Sequence, residues 1–191
     1  MLQLACFPPP FPEELLWNGS HLRRHLEIFP EGQFVTLDQK DKVWASCSNT
    51  LVPDAVWDAH TSWTETVGGP YLRRFDRSGK TLYGLDVSVH PSVRGKGLLR
   101  EFMKQRFDLC RGMNLTRYGT AVRMPGFASW ANQTGDATPE MYARQVESGA
   151  VKDPTLTPML RVGLRLEGVI RDYMDDFESG NAAAALEWMD R

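Results

Sequence analysis

A strand that ends at a proline, a turn with two glycines and an apolar helix follow one another near the middle of the chain. The stretch reads Val89-His90-Pro91-Ser92-Val93-Arg94-Gly95-Lys96-Gly97-Leu98-Leu99. Glycine adopts backbone angles that are closed to other residues, so Gly95 and Gly97 allow successive N–H groups to converge on one anion. The helix adds the unpaired N–H groups and partial positive charge of its first turn. The stretch therefore predicts a phosphate-binding turn.

A Gly-x-Gly pair also occurs in ordinary strand-to-helix turns, so the segments around it decide between the two interpretations. The alternation of residues 82–89 predicts a strand, with Leu85, Val87 and Val89 on one face and Asp86 and Ser88 on the other. Residues 98–110 have helical periodicity, and we expect their apolar residues in the core. The basic residues of this helix are expected on its solvated face: Arg100, Lys104 and Arg106.

The composition is that of an ordinary globular protein, because 42% of the 191 residues are hydrophobic and 24% are charged. This length suits a single domain over residues 1–191. The formal net charge of −2 argues against a nonspecific nucleic-acid binder. No run approaches the ~18 apolar residues of a membrane span, and the first six residues are too short for a signal peptide. We therefore expect a cytoplasmic protein with neither nucleic acid nor membrane as partner.

Strand and helix patterns alternate along the chain. Strands are predicted at residues 33–37, 43–52, 82–89, 115–122, 164–173 and 182–188. Helices are predicted at residues 11–17, 20–26, 98–110, 139–148 and 156–162, and a long polar loop at 57–71. Thr138 is expected to cap the fourth helix. This order predicts an α+β domain of the α/β sandwich type, with a central, mainly antiparallel sheet flanked by helices.

The glycine turn and its flanking segments resemble the acyl-CoA-binding motif of the GNAT superfamily of N-acetyltransferases. In that family a strand ending in Val-x-Pro is followed by Gln or Arg, two residues, Gly, one residue, and Gly or Ala. Arg94 to Gly97 fit this pattern, whereas Leu99 stands at the last position. The resemblance implies the GNAT fold for nearly all of the chain. Its last two strands would pair as a hairpin, and we expect the acidic turn between them, residues 172–178, to be solvated.

The resemblance also implies how a cofactor binds. In the family, the strand ending at Val89 diverges from the next strand, and the pantetheine arm of acetyl-CoA bonds to the free backbone groups. Those positions correspond here to Val87, Ser88 and Val89. The diphosphate is expected at Arg94, Gly95, Lys96, Gly97, Leu98 and Leu99. The implied reaction is direct attack on acetyl-CoA, in a ternary complex, by the primary amine of a small molecule or peptide.

The amine must be neutral to attack, so a carboxylate, or a water held by one, should take its proton. Asp86 is the first candidate because it lies in the cofactor-bearing strand. Glu65, in the long loop, is the second candidate. For both residues the alternative is a solvent-facing carboxylate without a catalytic role.

Many family members also carry a Tyr, four residues before a Gly-Phe pair, that protonates the departing thiolate. Met159 stands at that position, before Gly163 and Leu164, and a thioether donates no proton. Tyr142, on the preceding helix, is the substitute candidate, with a half-buried core position as its alternative.

Two further expectations concern absences. His21 and His25 have a helical spacing that suits a metal, but no third ligand is indicated, so we expect no metal site.

GNAT domains open with an edge strand before the counterpart of Phe7-Pro8, and this chain reaches that point at its seventh residue. We therefore expect that strand to be absent, and the sheet edge left open could be covered by a second copy in a homodimer.

Met159 and the short N-terminal region favour a second hypothesis, a catalytically silent acyl-CoA-binding domain that acts as a sensor or as a module of a larger assembly. A general nucleotide-binding protein is a third hypothesis. It would need an acidic ribose contact or a magnesium-binding Ser or Thr, and the sequence offers neither.

Overall fold

The computed structural model describes residues 2–190, in which six strands form one sheet in the order β1-β2-β3-β4-β6-β5. All neighbouring strands are antiparallel except β3 and β4, which are parallel. The strands are β1 (Gln33–Leu37), β2 (Val43–Val52), β3 (Thr81–Val89), β4 (Arg117–Arg123), β5 (Arg165–Ile170) and β6 (Ala183–Trp188). This confirms the predicted α+β class with a mainly antiparallel sheet.

Helices connect these strands. They are α1 (Leu2–Cys6), α2 (Gly19–Ile28), α3 (Asp54–Asp58), α4 (Trp63–Val67), α5 (Leu98–Gly112), α6 (Phe127–Thr134), α7 (Pro139–Glu147) and α8 (Leu156–Arg161). Single 3₁₀ turns lie at Glu13–Leu15, Pro30–Gly32, Pro91–Val93 and Phe177–Ser179. Among the helices of residues 2–190, none combines the length and apolar character needed to cross a membrane.

Alternate residues of β6 enter two different apolar clusters, as expected of a strand that is buried on both faces. Ala184 and Leu186 pack in the cluster that α5, α7 and α8 cover. Ala183 and Ala185 pack in the cluster that α3 and α4 cover. The sheet therefore separates two layers of helices.

Most elements lie where the sequence patterns predict them. β1 and β2 have the predicted bounds, and Thr138 caps α7 by accepting a hydrogen bond from the Met141 N–H at 3.2 Å. β5 and β6 form the predicted antiparallel hairpin. Over the described residues before Pro8, the chain forms helix α1 and no strand.

Two predicted segments differ from the structure, and some helices were not predicted. Residues 11–17 contain a single 3₁₀ turn in place of a helix. Residues 57–71 contain α4, whose capping box orders the polar stretch. Helices α1, α3 and α6 have no counterpart among the predicted helices, and α6 begins directly after Pro125 and Gly126.

A β-bulge changes the faces of β3. The register of β3 against β2 shifts at Leu85, which has no partner in β2. Leu85 consequently packs against the α3–α4 cluster, whereas Val87 and Val89 pack on the other face, around Phe102 of α5. The prediction that these three side chains share a face is wrong, because one inserted residue reverses the alternation.

Two charged side chains that were expected in solvent are buried. Arg100 and Lys104 are exposed on α5, as predicted, but Arg106 is only 1% exposed. Asp176, in the acidic turn, is 3% exposed and accepts two hydrogen bonds from the Arg123 guanidinium, at 2.6 and 2.7 Å. Both predictions are wrong, because each charge has partners far away in sequence.

The partners of Arg106 lie at the bulge. Its guanidinium donates to Asn49 Oδ1 at 2.7 Å and to the carbonyl oxygens of Ser48 and Asp86 at 3.3 and 3.0 Å. These acceptors flank the point where the β2–β3 register shifts. Arg106 therefore supplies hydrogen bonds that the irregular strand pairing leaves unmade.

Candidate functional site

β3 and β4 pair over the first half of β3 and then diverge. Their parallel pairing runs from Thr81 with Arg117 to Gly84 with Thr120. Residues 86–89 remain paired with β2 but have no pairing on the β4 side. A gap thus opens in the plane of the sheet, as the family resemblance implies.

The backbone of Val87 and Val89 faces this gap. The His90 N–H donates to the Trp44 carbonyl at 3.0 Å, so His90 belongs to a hydrogen-bonded pair of the antiparallel ladder. Such pairs alternate along a ladder, so the N–H and C=O groups of Val87 and Val89 turn away from β2. The Val89 carbonyl accepts a hydrogen bond from Arg94 Nε at 3.2 Å. The two N–H groups point into the gap.

The glycine turn lies beside the outer end of the gap, where β3 ends. Gly95 and Gly97 have φ angles of 77° and 84°, and no atom lies within 4 Å of the position that a Cβ would take at either residue. The basic side chains on either side of Gly95 are exposed. Gly97 is the N-cap of α5, whose first N–H groups have no intrahelical partner. Leu98 and Leu99 pack their side chains against the apolar clusters, so the unusual Leu99 leaves the turn open.

A cavity of about 160 Å³ occupies the inner end of the gap. It is lined by residues 85–87 of β3 and residues 120–123 of β4. Its cover is formed by α1 and the segment that follows, through Gln3 to Trp17, and α4, α8 and the β5–β6 connection complete the walls. Met159 is one of the lining residues.

Asp86 brings a carboxylate to this cavity. Its Oδ2 accepts hydrogen bonds from Ser88 Oγ at 2.9 Å and from Gln3 Nε2 at 3.4 Å. Ser88 is fully buried and paired with β2, so the side chain of Ser88 fixes the carboxylate. Burial raises the pKa of Asp86 to about 6, although the Ser88 hydrogen bond and the Arg106 charge oppose the rise. A carboxylate with this pKa is a stronger base than an ordinary aspartate.

Glu65 and Tyr142 lie away from the cavity. Glu65 is exposed on α4, and its carboxylate accepts hydrogen bonds from the Ser62 N–H and Oγ at 3.2 and 2.8 Å, which lower its pKa. Tyr142 is 1% exposed and donates to Asp153 Oδ2 at 2.8 Å. Burial raises the pKa of Tyr142 well above its ordinary value. Asp153 also caps the start of α8, by accepting from the Leu156 N–H at 2.7 Å.

The polar residues that line the cavity include four with long or aromatic side chains that were not among the predicted site residues: Gln3, Arg106, Arg123 and Tyr173. Arg106 carried a usable signal, because it lies three and four residues from Met103 and Cys110, on the apolar stripe of α5. The sequence carried no comparable signal for Gln3, Arg123 or Tyr173. Arg123 pairs with a carboxylate 53 residues away, and Tyr173 bonds to the Tyr83 hydroxyl at 2.6 Å across 90 residues.

His21 and His25 have structural partners. His21 closes a capping box with Asn18 at the start of α2. His25 is buried, its Nε2–H donates to the Pro70 carbonyl at 2.8 Å, and burial lowers its pKa to about 4. Within residues 2–190, no three His, Cys, Asp or Glu side chains come together in an arrangement that could hold a metal ion.

The chain is similar to several known proteins. The sequence matches the acetyltransferase (GNAT) family over residues 2–131. The uncharacterized N-acetyltransferase YkwB of Bacillus subtilis (strain 168) is 30% identical over 187 residues, which are 98% of this chain and 81% of that protein. The probable hydrolase YhcX of the same organism is 31% identical over 188 residues, but the chain spans only 35% of its length.

The solved structure of the GNAT-like decarboxylase GphF, in complex with isobutyryl-CoA, has the same fold. Its TM-score is 0.74 at 20% sequence identity, and the superposition covers 98% of this chain and 91% of that one. The family match over most of the chain and the 30% identity to YkwB establish the relationship. The chain belongs to the GNAT family of acetyltransferases.

Proposed function

We propose that this chain transfers an acetyl group from acetyl-CoA to a primary amine, by direct attack in a ternary complex. One arrangement carries the proposal: the gap between β3 and β4 begins at a glycine turn and ends in a cavity that contains the half-buried carboxylate of Asp86. Membership of the GNAT family supports acyl transfer. The CoA thioester bound to the decarboxylase of the same fold supports a CoA thioester as the donor.

The glycine turn suits the diphosphate of a CoA molecule, and the gap suits its pantetheine arm. Gly95 and Gly97 keep the turn open, and the diphosphate would accept hydrogen bonds from its amides and from the first turn of α5. The pantetheine arm would bond to the gap-facing backbone of Val89, as an added strand does, and the N–H of Val87, which lines the cavity, would face the thioester oxygen. The thioester would then lie at the cavity.

The chemistry requires a base and a donor for the oxyanion. As the amine nitrogen bonds to the thioester carbon, Asp86 takes the ammonium proton, directly or through a water. The carbonyl oxygen gains negative charge, and a gap-facing N–H of β3 stabilises it by about 3 to 4 kcal/mol, the magnitude measured for comparable donors. The C–S bond then breaks and the electron pair leaves with sulfur.

The departing thiolate needs no acid from the protein. Thiols ionise near pH 8.5, so CoA leaves as a thiolate near neutral pH and takes its proton from water. Met159 at the cavity is compatible with this step. We assign Tyr142 a structural role, because its hydroxyl is bonded to Asp153 within the core.

A catalytically silent acyl-CoA-binding domain is the second candidate. The thioether of Met159, at the position where the family carries a proton donor, favours it. The relationship to the probable hydrolase YhcX, of which the chain spans 35%, favours a module of a larger protein.

Calorimetric titration with acetyl-CoA, followed by a thiol assay of CoA release against a panel of amines, separates these functions. Binding with amine-dependent CoA release is the expected result. Binding without release across a broad panel would favour the silent domain. Release of CO2 from malonyl-CoA would indicate decarboxylation, and absence of binding would overturn the proposal.

Gly97→Glu tests the turn itself. The substitution adds bulk and negative charge where the diphosphate is expected, at a residue with φ of 84°. We expect at least a hundredfold loss of acetyl-CoA affinity, about 3 kcal/mol. Gly112→Glu is the matched control, because it lies in the last turn of the same helix, about 20 Å away, with no atom near its Cβ position. Equal affinities of the two variants would place the phosphates elsewhere.

A further inference from the structure

The cavity at the inner end of the gap holds more than an acetyl group needs. A CoA molecule that follows residues 85–89 from the glycine turn would run about 13 Å along β3 before it reaches the cavity. The part of CoA that arrives there is the thioester and its acyl group. This inference therefore rests on the proposed function.

The cavity wall is mainly apolar. Its cover and side walls include the half-buried side chains of Phe7, Phe11, Leu15, Leu16 and Met174 and the buried Met159. Such a wall favours a hydrocarbon chain over a charged group.

The charged groups at the cavity already have partners. Arg123 bonds to Asp176 at 2.6 and 2.7 Å and to Glu178 at 3.0 Å. Arg106 bonds to Asn49 and to strand carbonyls. Asp86 remains as the base. Among residues 2–190, the deep end of the cavity therefore offers no unpaired cation to a carboxylated acyl group.

The volume sets the size of the ligand. An apolar cavity of about 150 Å³ binds benzene, which has six carbons, and otherwise stays dry. The cavity of about 160 Å³ has similar room, and an acetyl group would fill only part of it. We propose that the donor range of this protein extends to acyl-CoA thioesters with uncharged, aliphatic acyl chains of four to six carbons, which bind better than acetyl-CoA.

Calorimetric titration with CoA, acetyl-CoA, butyryl-CoA, isovaleryl-CoA, hexanoyl-CoA and decanoyl-CoA tests the proposal without knowledge of the acceptor. Each buried methylene should raise affinity about fourfold, so butyryl-CoA should bind about fifteenfold more tightly than acetyl-CoA. The rise should end near six carbons. A flat series with intact CoA binding would overturn this inference and leave the proposed function standing. Failure of CoA itself to bind would overturn both.

Met174→Trp tests the location, because the larger ring would occupy the space of the acyl chain. We expect the variant to lose most of the fifteenfold advantage of butyryl-CoA over acetyl-CoA. Met141→Trp, on the exposed face of α7 at 49% exposure, is the matched control and should keep that advantage. Leu15→Trp fills the same cavity from its cover, and is the second variant should Met174→Trp not fold. An unchanged advantage in a folded cavity variant would overturn the location.

Discussion

The neighbours of Asp86 at the bulge set the orientation and the pKa of its carboxylate. The inserted Leu85 turns the Asp86 side chain towards the cavity, and the buried Ser88 hydroxyl holds its carboxylate at 2.9 Å. The Arg106 guanidinium bonds to the Asp86 carbonyl oxygen, not to the carboxylate. Its charge lowers the pKa only in part, so burial dominates and the pKa remains near 6. The carboxylate is therefore both ionised and basic at neutral pH.

Asp86→Asn should remove the base and leave the cofactor site intact. We expect a loss of kcat of about 10² to 10⁴, the usual contribution of general base catalysis, with acetyl-CoA affinity unchanged. In the wild type, kcat/KM should rise about tenfold per pH unit below pH 6 and become constant above it, since the ionised form is active. The variant should lack this slope. Steady-state kinetics between pH 4.5 and 8, with calorimetric binding, measure both effects.

Glu65→Gln tests whether Glu65, the second candidate, acts as the general base in place of Asp86. Its side chain serves the capping box of α4, a role that Gln also fills. We expect kcat to stay within a factor of two of the wild type. A large loss in Glu65→Gln together with an active Asp86→Asn would reverse the assignment of the base.

At the scale of elements, β3 depends on α5 for its irregular pairing with β2. Arg106→Met should keep much of the side-chain volume but leave the Asn49 amide oxygen and two strand carbonyls without their donor. Unsatisfied buried acceptors are costly, so we expect a loss of about 2 to 5 kcal/mol in the free energy of unfolding. Arg100→Met, exposed on the same helix, should change it by less than about 0.5 kcal/mol. Urea denaturation compares the two variants, and equal midpoints would mean that the bulge does not depend on Arg106 for its stability.

The elements that could be predicted from sequence are those set by local patterns. β1 and β2 follow from alternation around a polar turn, and α5 follows from its apolar stripe. The bulge at Leu85 could not be predicted, because it depends on register against a strand more than 30 residues earlier. The burial of Arg106 and of Asp176 depends in the same way on partners that the fold brings together.

The same division holds for the candidate site as a whole. The residues expected to bind the cofactor form one continuous segment, residues 85–99, so their motif can be recognised in the sequence. The acyl half is a cavity whose lining residues run from Gln3 to Met174. No sequence spacing relates these lining residues to one another. Tyr142 is a further example of a residue whose role depends on the fold, because the residues next to it in sequence do not reveal that its hydroxyl bonds to Asp153 in the core.

Over the whole molecule, β4, β5 and β6 pair with β1, β2 and β3 only along the first half of β3, where β3 and β4 meet. A CoA molecule in the gap would bond to β3 on one side and pack against β4 on the other, and binding to the folded state alone stabilises it. At a hundred times the dissociation constant the gain is about 2.7 kcal/mol, which for a chain of this length raises the melting temperature by about 5 to 11 °C. Scanning fluorimetry with acetyl-CoA should show this shift in the wild type and in Gly112→Glu but not in Gly97→Glu. A shift of the same size in Gly97→Glu would mean that the ligand stabilises the fold from a different site.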